Sequence, residues 1–317
     1  MELVITYLGF LIAAYSVIAN DVIQTLGTFI ASNQKHPWWK LWAFSAGILS
    51  ITLLYSWYVY GGDVTYGRLE YIPLPETMHW WYLLAPIALL VITRFGIPVS
   101  TTFMILSVFS SEQIIEKMIL KSVLGYLVAF IAALGLYFFI ANKLETKGAL
   151  RMATWKGNKK FWLTAQWGST AFLWVQWLIQ DFANIFVFLP RQLSVQELFG
   201  SLIVIVVIMA YIFLSKGGKI QEMVNQKANT RNIRSATIID LSYGLILFLF
   251  GSISAIPMST TWTFVGILAG REMAISYRLK DPRMRKTYTV IFKDLAKVNV
   301  GLAVSILIAY AIGVFNA

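Results

Sequence analysis

The sequence predicts an all-α polytopic membrane protein built from two inverted-topology repeats, with broken helices or re-entrant hairpins. Composition, a duplicated pair of motifs and the placement of positive charge predict it. The 317 residues are 58% hydrophobic and 13% charged, against about 25% charged in a soluble domain. Mean hydropathy is +0.68. A bilayer crossing needs ~20 apolar residues, and such runs recur at Leu3–Ala19, Leu41–Tyr60, Ser122–Ala141, Leu198–Leu214, Leu241–Ala255 and Val298–Val314. The runs are continuous, whereas β-barrel strands would alternate. Only Met1 and Glu2 precede the first run, so it reads as a retained helix and not a basic-headed leader.

An I-P-x-S-T-T string occurs twice, as Ile97-Pro98-Val99-Ser100-Thr101-Thr102 and Ile256-Pro257-Met258-Ser259-Thr260-Thr261. Each follows an aspartate embedded in apolar sequence, Asn20-Asp21 with Gln24 and Gln180-Asp181 with Asn184. Asp21 to Ser100 is 79 residues and Asp181 to Ser259 is 78. A carboxylate and a hydroxyl cluster, each duplicated at matched spacing, read as a transport site built from two repeats.

The net charge of +11 would suggest nucleic-acid binding on a soluble protein. Here it sits in short loops and follows the positive-inside rule, so no nucleic-acid partner is expected. Residues 142–160, 215–236 and 271–297 hold 19 of the 26 Lys and Arg residues and are assigned to the cytoplasm. Gly61–His79 sets Arg68 against Asp63, Glu70 and Glu76 and is assigned outside. Trp38, Trp39, Trp42, Trp80, Trp81, Trp155 and Trp162 fall where an aromatic belt belongs. These assignments thread five passes through each half: 3–30, 41–60, 80–95, 96–115 and 119–141, then 162–189, 196–214, 237–255, 256–270 and 298–315. An odd number of passes per repeat turns the second repeat upside down and puts both termini outside. The short segments 96–115 and 256–270 can cross or re-enter. The division is 1–147 for the first repeat, 148–161 for a basic linker and 162–317 for the second repeat.

A charge at mid-membrane costs ~3 kcal/mol or more unless it faces a cavity or partner. Asp21 and Asp181 each have an amide three residues on, which a helix places on the same face. Asn20, Asp21, Gln24, Gln180, Asp181 and Asn184 therefore form oxygen sets suited to Na⁺. The carboxylates could instead carry protons, or serve as helix caps. Proline interrupts a helix and a following Ser or Thr caps the next one. Ser100, Thr101 and Thr102, and Ser259, Thr260 and Thr261, should thus start half-helices whose N–H groups and hydroxyls suit a tetrahedral oxyanion. Simple capping is the alternative.

Other features are weaker. Arg94 and Arg191 could attract an anion, with interfacial snorkelling the plainer reading. Asp240 reads as an interfacial acid at a helix start. His36 and His79 read as interfacial loop residues. There is no cysteine, nucleotide loop, metal-ligand spacing or nucleophile elbow, so neither a primary pump nor an enzyme is expected. No cofactor or metal beyond Na⁺ is expected. A non-transporting scaffold or a channel would not need the paired motifs.

Ala19-Asn20-Asp21-Val22 resembles the G-A-N-D-V-A-N signature of the inorganic phosphate transporter (PiT) family. Gly96–Thr102 and Ala255–Thr261 resemble its duplicated G-x-P-V-S-T-T-H strings, and the resemblance runs through most of both halves. It implies a secondary transporter of inorganic phosphate, with the Asp and Asn positions serving Na⁺ or H⁺ and the Ser-Thr-Thr positions holding the anion. The expected partners are phosphate, Na⁺, the lipid bilayer and a second copy in a homodimer. The chain departs from the pattern at Gln24, at Gln180-Asp181-Phe182-Ala183-Asn184, and at Phe103 and Trp262, where the family has histidine. Sulfate is therefore the alternative substrate and H⁺ the alternative coupling ion.

Overall fold

The structure, a computed structural model, describes residues 1–94, 99–144, 159–215, 233–278 and 284–316. Those residues form helices and connecting turns and no strand. The first half begins with α1 (Glu2–Val17), a π-helical turn at Ile18–Val22, α2 (Ile23–Ser32) and α3 (Trp38–Val59). A 3₁₀ turn at Trp80–Leu83 leads into α4 (Leu84–Arg94), which has Pro86 in its first turn, where no N–H is needed. A short arm follows, with a π turn at Thr102–Leu106 and a 3₁₀ turn at Ser107–Phe109, and α5 (Glu112–Leu144) completes the half. The second half contains α6 (Lys159–Phe186), α7 (Val195–Leu214), α8 (Ile233–Ile253), α9 (Thr260–Arg278) and α10 (Met284–Asn316). Ser194 and Glu197 form a capping box at the start of α7, each satisfying the other's backbone N–H.

Six helices are long and apolar enough to cross a membrane: Glu2–Val22, Trp38–Val59, Glu112–Phe139, Val195–Leu214, Ile233–Ile253 and Thr287–Gly313. The chain is a multi-pass membrane protein. Other helices do not meet that test, among them α6, α9 and the short arm, which carry Asp181 and both threonine pairs. Asn20 and Asp21, by contrast, lie at the end of the apolar stretch Glu2–Val22.

Segments 96–115 and 256–270 do not behave as independent passes. Tyr82, at the start of the α4 segment, stacks on Phe109, at the end of the short arm, with ring centroids 4.9 Å apart. The two pieces therefore run antiparallel and return to the same side. The arm covers about nine residues, ~14 Å at 1.5 Å per residue, too short for a bilayer core of ~30 Å. In the second half, Tyr137 reaches Ser235 near the start of α8 and lies under the Arg271 guanidinium near the end of α9. Thus α8 and α9 also form a hairpin, and Tyr243 in the middle of α8 donates to the Thr260 carbonyl at the start of α9, 2.9 Å. The second hairpin thus sets the N-terminus of α9 level with the middle of α8.

Each half lends its last helix to the other. α5 lies along α9, and α10 packs on the short arm. The α5–α9 contact is close because α9 has glycines facing it. A Cβ on Gly266 would sit 2.5 Å from the Tyr126 carbonyl oxygen, and one on Gly270 would collide with the Phe130 carbonyl. Small residues let helix backbones approach where lipid offers no hydrophobic drive.

Some expectations need correcting. The region 271–297, expected as a loop, is helical over 271–278 and 284–297. Arg271 is buried within α9, salt-bridged to Glu272 and stacked over Tyr137, so its charge is compensated inside the protein. The linker 148–161 and most of the basic stretches 142–160 and 215–236 lie outside the described residues, but 159–161 form the first turn of α6. His36 packs against Trp167 and exposed His79 stacks on Trp81, as interfacial residues do. Arg191 is half-buried in the loop after α6. It donates to the carbonyls of Val187, Leu189 and Ile72, tying two loops together, and burial draws its pKa down to about 10.

Candidate functional site

The π turn at Ile18–Val22 carries Asn20 and Asp21, both buried. A π turn widens the helix by one residue and recurs at functional sites. Asn20 Nδ2 donates to Asp21 Oδ1 and to the Val99 carbonyl, 2.8 Å each. Thr101 Oγ1 donates to the other oxygen, Asp21 Oδ2, at 2.6 Å. The aspartate of the first half is thus tied to its own hydroxyl string, 80 residues on.

The same string also reaches the other half. Thr102 Oγ1 lies 3.3 Å from Asp181 Oδ1 and 3.2 Å from the Met258 carbonyl. Asn184, one turn after Asp181 on α6, donates to Asp181 Oδ1 at 2.5 Å and points the same amide at Thr101 and Thr102, at 3.1 and 3.3 Å. Thr261 of the second string donates to the Val99 carbonyl, 3.2 Å, the oxygen that Asn20 also uses. Thr260 stands beside Asp181. Asn20, Asp21, Thr101, Thr102, Asp181, Asn184 and Thr261 therefore form one network. Residues of both aspartate motifs and both hydroxyl strings, which the sequence reads as one transport site built from two repeats, thus share a single cluster, buried to at least 98% at every one of these residues.

The serines do something different. Ser100 Oγ accepts from the Phe103 N–H and Ser259 Oγ from the Trp262 N–H, both at 3.2 Å. This is N-capping, the plainer of the two readings of the motif. Ile97 and Pro98 lie outside the described residues. The glutamines also diverge from the cluster. Gln180 Nε2 donates to the Leu247 carbonyl on α8 at 3.2 Å, and Gln24 is buried with no partner on Nε2.

Charge and donor balance define what the cluster can hold. Two carboxylates are buried together, and no ion pair touches either of them among the described residues. Asn20 Oδ1, Gln180 Oε1, Asp181 Oδ2 and Asn184 Oδ1 are buried and accept no hydrogen bond. Buried oxygens are nearly always satisfied. A concentration of hard, unsatisfied oxygens beside two carboxylates matches the ligand preference of a small hard cation. Of the expected Na⁺ set, Asn20, Asp21, Asp181 and Asn184 could hold such a cation together, while Gln24 and Gln180 stand apart from them.

Three further residues enter that sequence reasoning misplaced or missed. Arg68, expected in an external loop, is 3% exposed. It donates to the carbonyls of Ile179 (2.7 Å) and Ala255 (3.2 Å), just ahead of the Asp181 motif and of Ile256. Burial draws its pKa down to about 10, which leaves it charged at neutral pH. Lys121 on α5 donates to the Ser254 and Ile256 carbonyls, 2.7 Å each, so two cations hold the carbonyls of residues 254–256, just past the end of α8. Asp240 is not an interfacial acid. It is fully buried within α8, its two oxygens taking hydroxyls from Thr28 (2.5 Å) and Thr170 (2.6 Å). Only the apolar run following Asp240 hinted at depth, and the basic residues before it argued the other way. Exposed Arg94 lies away from the cluster.

No family model matches the chain, and no curated protein matches it. Among solved structures the chain is similar to one described as "The sodium-dependent phosphate transporter", at 17% identity and a TM-score of 0.58, with 99% of each chain covered. At that identity the similarity establishes a shared fold over the whole chain.

Proposed function

We propose that this protein is a secondary active transporter that takes up inorganic phosphate coupled to Na⁺ by alternating access. One observation carries the proposal: aspartates and hydroxyls from both halves converge on one closed, carboxylate-rich cluster with buried oxygens that accept nothing. The fold shared with a sodium-dependent phosphate transporter supports the same reading. Na⁺ at the Asp21 and Asp181 oxygens offsets their charge and lowers the cost of an anion alongside. The N-termini capped by Ser100 and Ser259 offer backbone N–H groups and positive dipole ends to that anion.

Each half supplies two helical segments, one hairpin and a last helix in the same order, which supports an inverted repeat. Counting each hairpin as returning to its own side leaves an odd number of passes per half, so the inversion inferred from loop charges still follows. Rocking of one part against the other would open the closed cluster to each side in turn.

The test is uptake of labelled phosphate into proteoliposomes under an inward Na⁺ gradient, with unlabelled sulfate as competitor. Na⁺-dependent uptake that sulfate leaves intact is the expected result. Uptake that ignores Na⁺ and follows a pH gradient would make the aspartates proton carriers. Transport of sulfate without phosphate would overturn the substrate.

A further inference from the structure

We infer that Trp262 is a specificity-determining residue whose indole N–H donates to an unprotonated oxygen of the transported oxyanion. The inference rests on the transport reading above and names a contact within that site. Trp262 follows Thr261 directly, in the first turn of α9, and its backbone N–H is bound to the capping Ser259. The side chain is 6% exposed. Its ring meets Phe103 edge-on at 6.4 Å and Tyr126 edge-on at 6.4 Å. Phe103 holds the matching position after Thr102, so the two rings meet at the seam between the two half-helix starts.

Trp262 Nε1 is buried and has no hydrogen-bond partner. A buried N–H left without an acceptor is costly and rare, so it needs an explanation. Three threonine hydroxyls around the seam are committed. Thr101 gives its proton to Asp21, Thr102 has Asp181 and Met258 as acceptors, and Thr261 donates to Val99. Gln24 Nε2 is also unclaimed, but an amide can be turned over to present its oxygen. An indole cannot: it donates and never accepts. A donor-only contact favours an oxygen without a proton and rejects a hydroxyl donor. Phe103 offers no such group, so the reading is one-sided.

The experiment compares phosphate and sulfate binding by calorimetry to the purified full chain in saturating Na⁺. The variants are Trp262→Phe, which keeps a ring against Phe103 and Tyr126, and Trp262→His, which returns a ring N–H. Trp262→Phe should weaken binding of the transported anion about 10- to 100-fold, the scale of one hydrogen bond to a charged partner. The rise in melting temperature caused by Na⁺ should stay unchanged, and Trp262→His should bind more tightly than Trp262→Phe. Affinity of Trp262→Phe within twofold of wild type would overturn the inference. So would an equal loss of anion and Na⁺ response, or a His variant no better than Phe, because those results describe packing alone. Wild-type protein that binds neither oxyanion would overturn the transport reading and this contact with it.

Discussion

Ser100 and Ser259 cap their helices with hydrogen bonds of the same 3.2 Å length, yet the helices they start differ. The first runs only to Phe109, through a π turn and a 3₁₀ turn. The second is a regular 19-residue α-helix. The same contrast holds at the aspartates: Asp21 sits in a π turn, while Asp181 lies in the regular helix α6. The duplicated residues have kept their chemistry while the backbone beneath them has diverged. Irregular turns concentrate in the first half, although hydroxyls of both halves reach across. Thr101 and Thr102 address both carboxylates, whereas Thr261 bonds to a backbone carbonyl. The two halves should therefore be unequal in function despite near-equal spacing in sequence.

Several substitutions break or sharpen this contrast. The largest effect should come from Asp21→Asn and Asp181→Asn, which remove the charges proposed to hold a cation. Each should lower Na⁺-driven uptake by ~100-fold or more, scored in proteoliposomes against wild type. Retained Na⁺-driven uptake in both would return the aspartates to a capping role.

Next comes the threonine pair. Thr101→Ala strips a hydroxyl from Asp21 and an acceptor from Asn184, so transport should fall about 10-fold or more. Thr261→Ala should cost only a few-fold, because Val99 keeps its bond from Asn20. Equal losses would mean that the halves contribute alike.

Packing gives a smaller contrast. Gly270→Ala drives a methyl into the Phe130 carbonyl between α9 and α5, and should destabilise the fold by about 1–3 kcal/mol. Gly301→Ala meets Val99 Cγ1 at 3.3 Å, a side chain that can yield, and should be nearly neutral. Thermal unfolding in detergent compares them. Last, Ser100→Ala and Ser259→Ala should each cost ~1 kcal/mol by the same assay, being equivalent caps.

Much of the fold was legible because membranes make sequence patterns simple. Backbone groups in lipid must be satisfied locally, so helices appear as apolar runs. The matched I-P-x-S-T-T strings also marked where the helices break. Hairpin closure was not legible, because it depends on Tyr82 meeting Phe109, which no local pattern encodes. Of the site, both aspartates, Asn20, Asn184 and three threonines were found from spacing alone. That the two halves would share one site was read from the duplication, but the cross-pairing within it was hidden, since Thr102 bonding to Asp181 requires the halves to interlock. Asp240 was misread because its basic flank outweighed partners that lie 70 and 212 residues away. The burial of Arg68 was not foreseen because an acidic loop sequence concealed a guanidinium serving carbonyls 111 and 187 residues on.

The central claim is that cation and anion share one cluster, and linkage tests it most directly. Phosphate affinity should be measured calorimetrically on wild type and Asp21→Asn, with Na⁺ saturating and with Na⁺ replaced by choline. The account predicts that Na⁺ tightens phosphate binding about 10-fold or more in wild type and that Asp21→Asn removes most of that gain. Equal phosphate affinity with and without Na⁺ in wild type would contradict a shared site.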